Sequence, residues 1–147
     1  MRYLCLSVWC AAATMLIACG GGGSNGTLTG NWAATLTNSD GATVLTFNAT
    51  LTQGSSSSIT VANLVFTTPT TCFDSATTGA TTFSPSGTSM VVGTLQMTLQ
   101  SSTNNANGVN QLTLQGTSSS NTISGTWNLS GTGTGCMGSG DFSMIRM

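Results

Sequence analysis

The feature that most constrains the fold of this chain is a two-residue alternation of apolar and small polar side chains, which recurs over residues 28–147. In the second such run Leu45, Phe47, Ala49 and Leu51 alternate with threonine and asparagine. Successive side chains of a β-strand point to opposite faces of a sheet, so each run predicts a strand with one buried face. No run in this part of the chain has the spacing of an amphipathic helix. The alternation therefore predicts an all-β domain.

These runs divide the chain into seven or eight predicted strands joined mostly by short turns. A change of parity near Ala62–Asn63 predicts a β-bulge in the third strand. From Thr67 to Pro85 the alternation stops, which predicts a long loop with one short strand near Ala80–Phe83. The other strands are predicted within residues 28–36, 45–52, 59–66, 91–99, 112–116, 123–129 and 142–146.

Charged residues make up only 3% of the chain, and this scarcity bears on how the strands are arranged. Open sheet edges usually carry charged side chains that prevent pairing with other chains, whereas a closed barrel has no such edges. We therefore expect a single antiparallel up-and-down β-barrel of seven or eight strands, with a β-sandwich as the alternative. A barrel that spans the membrane with its apolar faces toward lipid would need aromatic girdles, and aromatic residues are only 6% of this chain.

The charged residues also exclude classes of function. Beyond the N-terminal segment the only basic side chain is Arg146, and the acidic ones are Asp40, Asp74 and Asp141. Such a surface lacks the basic residues that phosphate recognition requires, so we expect no nucleic-acid partner. The chain contains no histidine or lysine, so serine nucleophiles lack their usual base and we expect no enzyme activity. No cofactor or metal is predicted, because a pairing of Asp74 with Asp141 would supply too few oxygens for tight calcium binding.

Residues 1–18 have the features of an export signal, since Arg2 precedes an uncharged apolar run that is too short to span a bilayer. The run ends in Leu16-Ile17-Ala18-Cys19, which resembles the lipobox of bacterial lipoproteins. This resemblance implies a diacylglycerol thioether on Cys19, cleavage before it and acylation of the new N-terminus, so that membrane lipid holds the protein. In lipoprotein families that are sorted by the second mature residue, a glycine such as Gly20 in place of aspartate implies the outer membrane. Residues 19–27 then form a lipidated, Gly-rich tether for a barrel domain at 28–147.

The cysteine count predicts one disulfide. Cys5 and Cys10 leave with the signal and Cys19 is lipidated, so Cys72 and Cys136 remain in an oxidising compartment. Two such cysteines usually pair. A metal-binding pair or a reactive thiol would need histidine or basic neighbours, and the chain has no histidine. We therefore expect a Cys72–Cys136 bond.

The first predicted strand begins with Gly30-Asn31-Trp32, which resembles the G-x-W motif that opens lipocalin and related calycin barrels. In that family the tryptophan lies near the closed end of the barrel, and a basic residue from the last strand packs across it. The resemblance implies that Arg146 lies over Trp32 as a cation–π pair. A second copy of the motif, Gly125-Thr126-Trp127, is the alternative structural partner. The chain as a whole resembles uncharacterised bacterial lipoproteins with a Thr/Gly-rich barrel, and this resemblance implies no particular activity.

Together these features predict a lipid-anchored protein of the cell envelope with a non-catalytic barrel that has a structural or interaction role. The sequence does not identify a protein partner. The alternative is that the barrel, with about eight strands, holds one small apolar ligand in its interior. The residues predicted to line such a ligand are Phe47, Met97, Leu99, Trp127 and Phe142.

Overall fold

The computed structural model describes residues 26–55 and 58–147. Within these ranges it contains eight β-strands, and no helix there is long and apolar enough to cross a membrane. The all-β prediction is confirmed. The signal peptide (1–18), Cys19 and most of the predicted tether lie outside the described residues. The strands are β1 (Gly30–Thr37), β2 (Thr43–Gln53), β3 (Ser58–Phe66), β4 (Thr78–Ser86), β5 (Ser89–Gln100), β6 (Asn110–Ser119), β7 (Thr122–Gly131) and β8 (Gly138–Arg146).

The eight strands form a closed antiparallel up-and-down barrel, in which each strand pairs with the next one along the chain. β1 also pairs with β8, from Trp32 opposite Arg146 to Thr37 opposite Asp141. This pairing gives the first and last strands a partner on both sides, which removes the terminal edges of an open sheet. The predicted barrel is therefore confirmed, and the alternative β-sandwich is wrong.

The alternation in the sequence sorts side chains between the barrel interior and solvent. In β5, Leu95, Met97 and Leu99 are fully buried, whereas the threonine and glutamine residues between them lie on the outer face. The register places Met97 opposite Leu114 and Leu99 opposite Leu112 on β6, so the apolar side chains form cross-strand pairs. Full burial of one such side chain contributes about 1.5–3 kcal/mol. The apolar faces of the strands thus meet inside the barrel.

β4 is longer than the sequence predicted. The predicted loop is confirmed over residues 67–77, but its expected extension to Pro85 is wrong: the strand predicted near Ala80–Phe83 covers Thr78–Ser86 and pairs with β5 along its whole length. Its inward positions include Gly79 and Thr81, which break the apolar alternation. Pairing with a long neighbouring strand therefore determines this element more than its own sequence pattern does.

The connections between strands differ at the two ends of the barrel. At one end, called here the tether end, the chain enters through residues 26–29 and the C-terminus leaves after β8. The β4–β5 and β6–β7 connections at this end have two residues each. At the other end, called here the loop end, the connections are longer. They comprise residues 38–42, 67–77, 101–109 and 132–137.

Candidate functional site at the loop end of the barrel

A loop of residues 67–77, called here the cap loop, crosses the loop end between β3 and β4. It begins on the outer side of β2, where the Thr67 N–H donates to the Thr46 carbonyl at 2.9 Å. It is then bonded to the β7–β8 connection by the Cys72–Cys136 disulfide, with a Cα–Cα distance of 5.5 Å. The predicted disulfide is therefore confirmed, and it joins two loops that lie 64 residues apart in sequence.

Three asparagine side chains of the β5–β6 region hold the cap loop from below. Asn110 Nδ2 and Asn105 Nδ2 donate to the Cys72 carbonyl at 2.9 and 3.3 Å, and Asn107 Nδ2 donates to the Thr71 carbonyl at 2.8 Å. Asn110 is fully buried. The sequence analysis assigned no role to these asparagines, and their clustering was the one signal that could have indicated a structural role.

Aromatic rings close the loop end beneath the cap loop. Phe73 is buried and stacks on Phe66, with ring centroids 4.8 Å apart and an angle of 9° between the planes. Phe66 in turn meets Phe47 edge to face at 5.7 Å. These geometries are favourable for aromatic pairs. The cap loop is therefore attached to the core by a row of three rings as well as by the disulfide.

β3 and β4 separate before they reach the loop end. Their register covers only Ser58–Thr60 of β3, opposite Ala80–Thr82 of β4. Asn63 has a φ of 49°, and the pairing of β3 with β2 shifts at this point, so a bulge lies where the change of parity predicted it. Beyond the bulge, β3 continues to Phe66 along β2 alone. Residues 62–66 therefore have one backbone edge without a strand partner.

Two depressions flank Phe73. A cleft of about 240 Å³ lies between the cap loop and the β7–β8 region, and Trp127 and Leu129 contribute to its wall. A larger groove of about 570 Å³ lies beside the unpaired edge of β3. It is lined by Leu64, Val65, Phe66, Thr67, Thr68, Pro69, Thr70, Phe73, Asp74 and Ser75.

Asp74 supplies the one charged side chain in the lining of this groove. Ser102 Oγ donates to its carboxylate at 2.7 Å, and the Ala76 N–H donates at 3.1 Å. These hydrogen bonds favour the charged form and hold the pKa of Asp74 below its usual value of 3.8. Asp141, the other carboxylate of the calcium site that the sequence analysis rejected, lies in β8 opposite Thr37. Across residues 26–55 and 58–147, no group of three or more His, Cys, Asp or Glu side chains could hold a metal ion.

The residues predicted to line an internal ligand are packed in the core. Phe47, Met97 and Leu99 are fully buried, and Trp127 and Phe142 nearly so. Glycines that face the interior have no side chain and could have left room for a ligand, but aromatic rings fill the space beside them. A Cβ built on Gly116 would lie 2.9 Å from the Phe142 ring, and one on Gly93 would lie 2.7 Å from the Phe83 ring.

The predicted Trp32 and Arg146 pair lies at the tether end. The Arg146 guanidinium is 5.0 Å from the centre of the Trp32 ring, and its two terminal nitrogens donate to the Thr29 and Thr27 carbonyls at 2.9 and 2.6 Å. Trp127 of the second G-x-W motif lies elsewhere, and its indole N–H donates to the Thr37 carbonyl at 2.9 Å. The arginine thus joins the last strand to the segment through which the chain enters the barrel.

Comparison of the chain with protein-family models, curated proteins and solved structures finds no match. Up-and-down barrels host many unrelated functions, so the fold alone assigns none. Function is therefore inferred from the arrangement of the two ends of the barrel and from the loop-end groove.

Proposed function

We propose that this chain is a lipid-anchored protein of the bacterial cell envelope, whose barrel is a non-catalytic module that holds an interaction surface away from the membrane. The observation that carries the proposal is the separation of the two ends. The chain enters the barrel at the tether end, whereas the groove and the cap loop lie at the loop end. A chain anchored through Cys19 therefore turns its loop end away from the lipid.

The length of the tether and the placement of charge support this orientation. Gly26 follows Cys19 by seven positions, and even a fully extended chain of seven residue steps reaches only about 25 Å. The tether end thus stays close to the membrane. Arg146, the one basic residue after Arg2, lies at this end. Asp40 and Asp74 lie in connections at the loop end. In this orientation the basic side chain lies on the lipid side and the two carboxylates lie away from it.

The chemistry of the chain supports a role without catalysis. The chain has no histidine or lysine, and the Asp74 carboxylate accepts hydrogen bonds from Ser102 and the Ala76 N–H, which favour its charged form. A general base needs a pKa near the working pH, and that of Asp74 is shifted in the opposite direction.

Fractionation of cells that express a Cys19→Ser variant tests the anchor. We expect the wild-type chain in the membrane pellet and the variant in the soluble fraction, because the variant has no thiol to receive the lipid. Cys10→Ser, in the predicted signal, is the matched control and should stay in the pellet. A Cys19→Ser protein that also stays in the pellet would overturn the anchor.

Binding of a small apolar ligand is the second proposal, and the 240 Å³ cleft bounded by Trp127 and Leu129 is the observation in its favour. Native mass spectrometry of protein purified from envelopes tests it. A bound mass that is lost in a Trp127→Ala variant would support this role. A wild-type spectrum that contains only the mass of the chain would count against it.

A further inference from the structure

The unpaired edge of β3 is a site where another chain can pair. Residues 62–66 span at most about 13 Å, which is four steps of the usual strand rise, since Asn63 lies in a bulge. Proteins commonly protect such edges with charged residues, proline or a β-bulge. Residues 62–66 contain no charged residue and no proline, and their one protective feature is the bulge at Asn63. Val65 is 58% exposed next to this edge. Beyond the bulge, the edge therefore offers backbone donors and acceptors that no strand of the barrel pairs with.

The groove beside the edge offers apolar contacts to side chains of an added strand. Leu64 and Phe66 are half-buried on one face of β3, and Phe73 stacks on Phe66 at 4.8 Å. The disulfide at Cys72 and the asparagine hydrogen bonds to the Cys72 carbonyl hold this surface in place. A rigid surface loses little conformational entropy when it binds, which favours affinity.

Charge indicates what kind of segment fits the groove. Asp74 places a carboxylate in its lining, so the complementary segment carries a lysine or arginine. A second copy of this chain does not meet that requirement, because its Arg146 is engaged at the opposite end and two Asp74 carboxylates would repel each other. The chain's own residues 20–25 lack basic and apolar side chains.

We propose that the loop end binds an extended segment of a partner protein, which adds as a strand to residues 62–66 of β3. Its alternate apolar side chains pack on Leu64, Phe66 and Phe73, and a basic side chain pairs with Asp74. In this mode of recognition, backbone hydrogen bonds give affinity and side-chain pockets give specificity. The inference rests on the proposed role as an interaction module and names the class of its partner.

A synthetic peptide tests the inference directly. The probe is an acetylated, fluorescent seven-residue peptide that alternates valine with threonine and carries one terminal lysine, titrated into full-length protein in detergent micelles. We expect saturable binding. We also expect the fast-exchanging amides of residues 62–66 to become protected, with no comparable change elsewhere in the barrel. Absence of binding, or binding that leaves these amides unprotected, would overturn strand addition without affecting the fractionation test of the anchor.

Variants locate the peptide on the edge and in the groove. Asp74→Asn should weaken binding of the lysine peptide about two- to fivefold, as for an exposed ion pair. It should not weaken binding of a peptide that has norleucine in place of lysine.

Val65→Lys should weaken binding of the lysine peptide more strongly than Asp74→Asn does. Ile145→Lys is its matched control, because Ile145 is also 58% exposed and lies on β8 at the tether end. Equal effects of Val65→Lys and Ile145→Lys on peptide binding would show that the peptide does not bind at the β3 edge. If the amides of residues 62–66 become protected from exchange at high protein concentration without peptide, the edge pairs with a second copy of the chain, and the proposed partner is wrong.

Discussion

At each end of this barrel, a tryptophan indole donates a hydrogen bond to a backbone carbonyl. At the tether end the Trp32 indole donates to the Leu28 carbonyl at 2.9 Å, and Arg146 covers the ring. At the loop end Trp127 donates to the Thr37 carbonyl. Buried polar groups are costly unless they are hydrogen-bonded, so each indole is placed where it has an acceptor. The tryptophans therefore contribute both apolar burial and a specific bond.

The arginine at the tether end gives a prediction about stability. Arg146→Met keeps most of the apolar stem but removes the cation–π contact and the hydrogen bonds to the Thr27 and Thr29 carbonyls. We expect the free energy of unfolding to fall by about 1–3 kcal/mol, measured by urea denaturation with tryptophan fluorescence. Arg146→Lys keeps the charge but not the planar guanidinium with its several donors. Its free energy of unfolding should therefore lie between those of the wild type and Arg146→Met. A methionine variant as stable as the wild type would contradict this role.

Asp74 gives a prediction about pH. Its pKa in the folded protein is below the usual value of 3.8, chiefly because the Ser102 hydroxyl donates to it. A carboxyl group with a lowered folded-state pKa stabilises the fold above the unfolded-state pKa, and this contribution disappears as the pH falls through the folded-state value. The urea midpoint of the wild type should therefore decrease below about pH 4 more steeply than that of Asp74→Asn. Parallel pH profiles would show that Asp74 makes no such contribution.

At the scale of elements, the sequence predicted the strands whose inward faces are apolar and failed where they are not. β5 and β6 present regular leucine and methionine faces, and both were found. β4 has small inward residues, Gly79 and Thr81, so its alternation was hidden until the pairing with β5 revealed it. The disulfide followed from the number of cysteines. The asparagine contacts to the cap loop join residues more than 30 positions apart, and local pattern carries no information on such contacts.

The cap loop gives a prediction at this scale. The Cys72–Cys136 bond closes 64 residues, and in the chain-entropy treatment a loop of this size contributes about 4 kcal/mol. A Cys72→Ala/Cys136→Ala variant should lose about 2–4 kcal/mol of unfolding free energy. Amide exchange in residues 67–77 should accelerate, while the β1–β8 pairing stays protected. A variant with an unchanged urea midpoint and a protected cap loop would show that the asparagines and the Phe66–Phe73 stack suffice.

At the scale of the whole molecule, the barrel has an interior packed with apolar side chains, one end at which the chain enters and one end at which β3 and β4 diverge. The gap between these two strands and the groove beside it could not be predicted from sequence, because they depend on where β3 and β4 diverge and not on the pattern of either strand. The bulge at Asn63 was predicted, but its consequence for the neighbouring strand was not.

Native-state amide hydrogen exchange, resolved by residue, tests this arrangement most directly. Closure predicts that β1 and β8 exchange as slowly as β5 and β6, because each strand has partners on both sides. Fast exchange is expected at residues 62–66 of β3, where about every second amide faces the gap. Rapid exchange along the paired residues of β1 and β8, or full protection of residues 62–66, would contradict a closed barrel in which β3 and β4 diverge at the loop end.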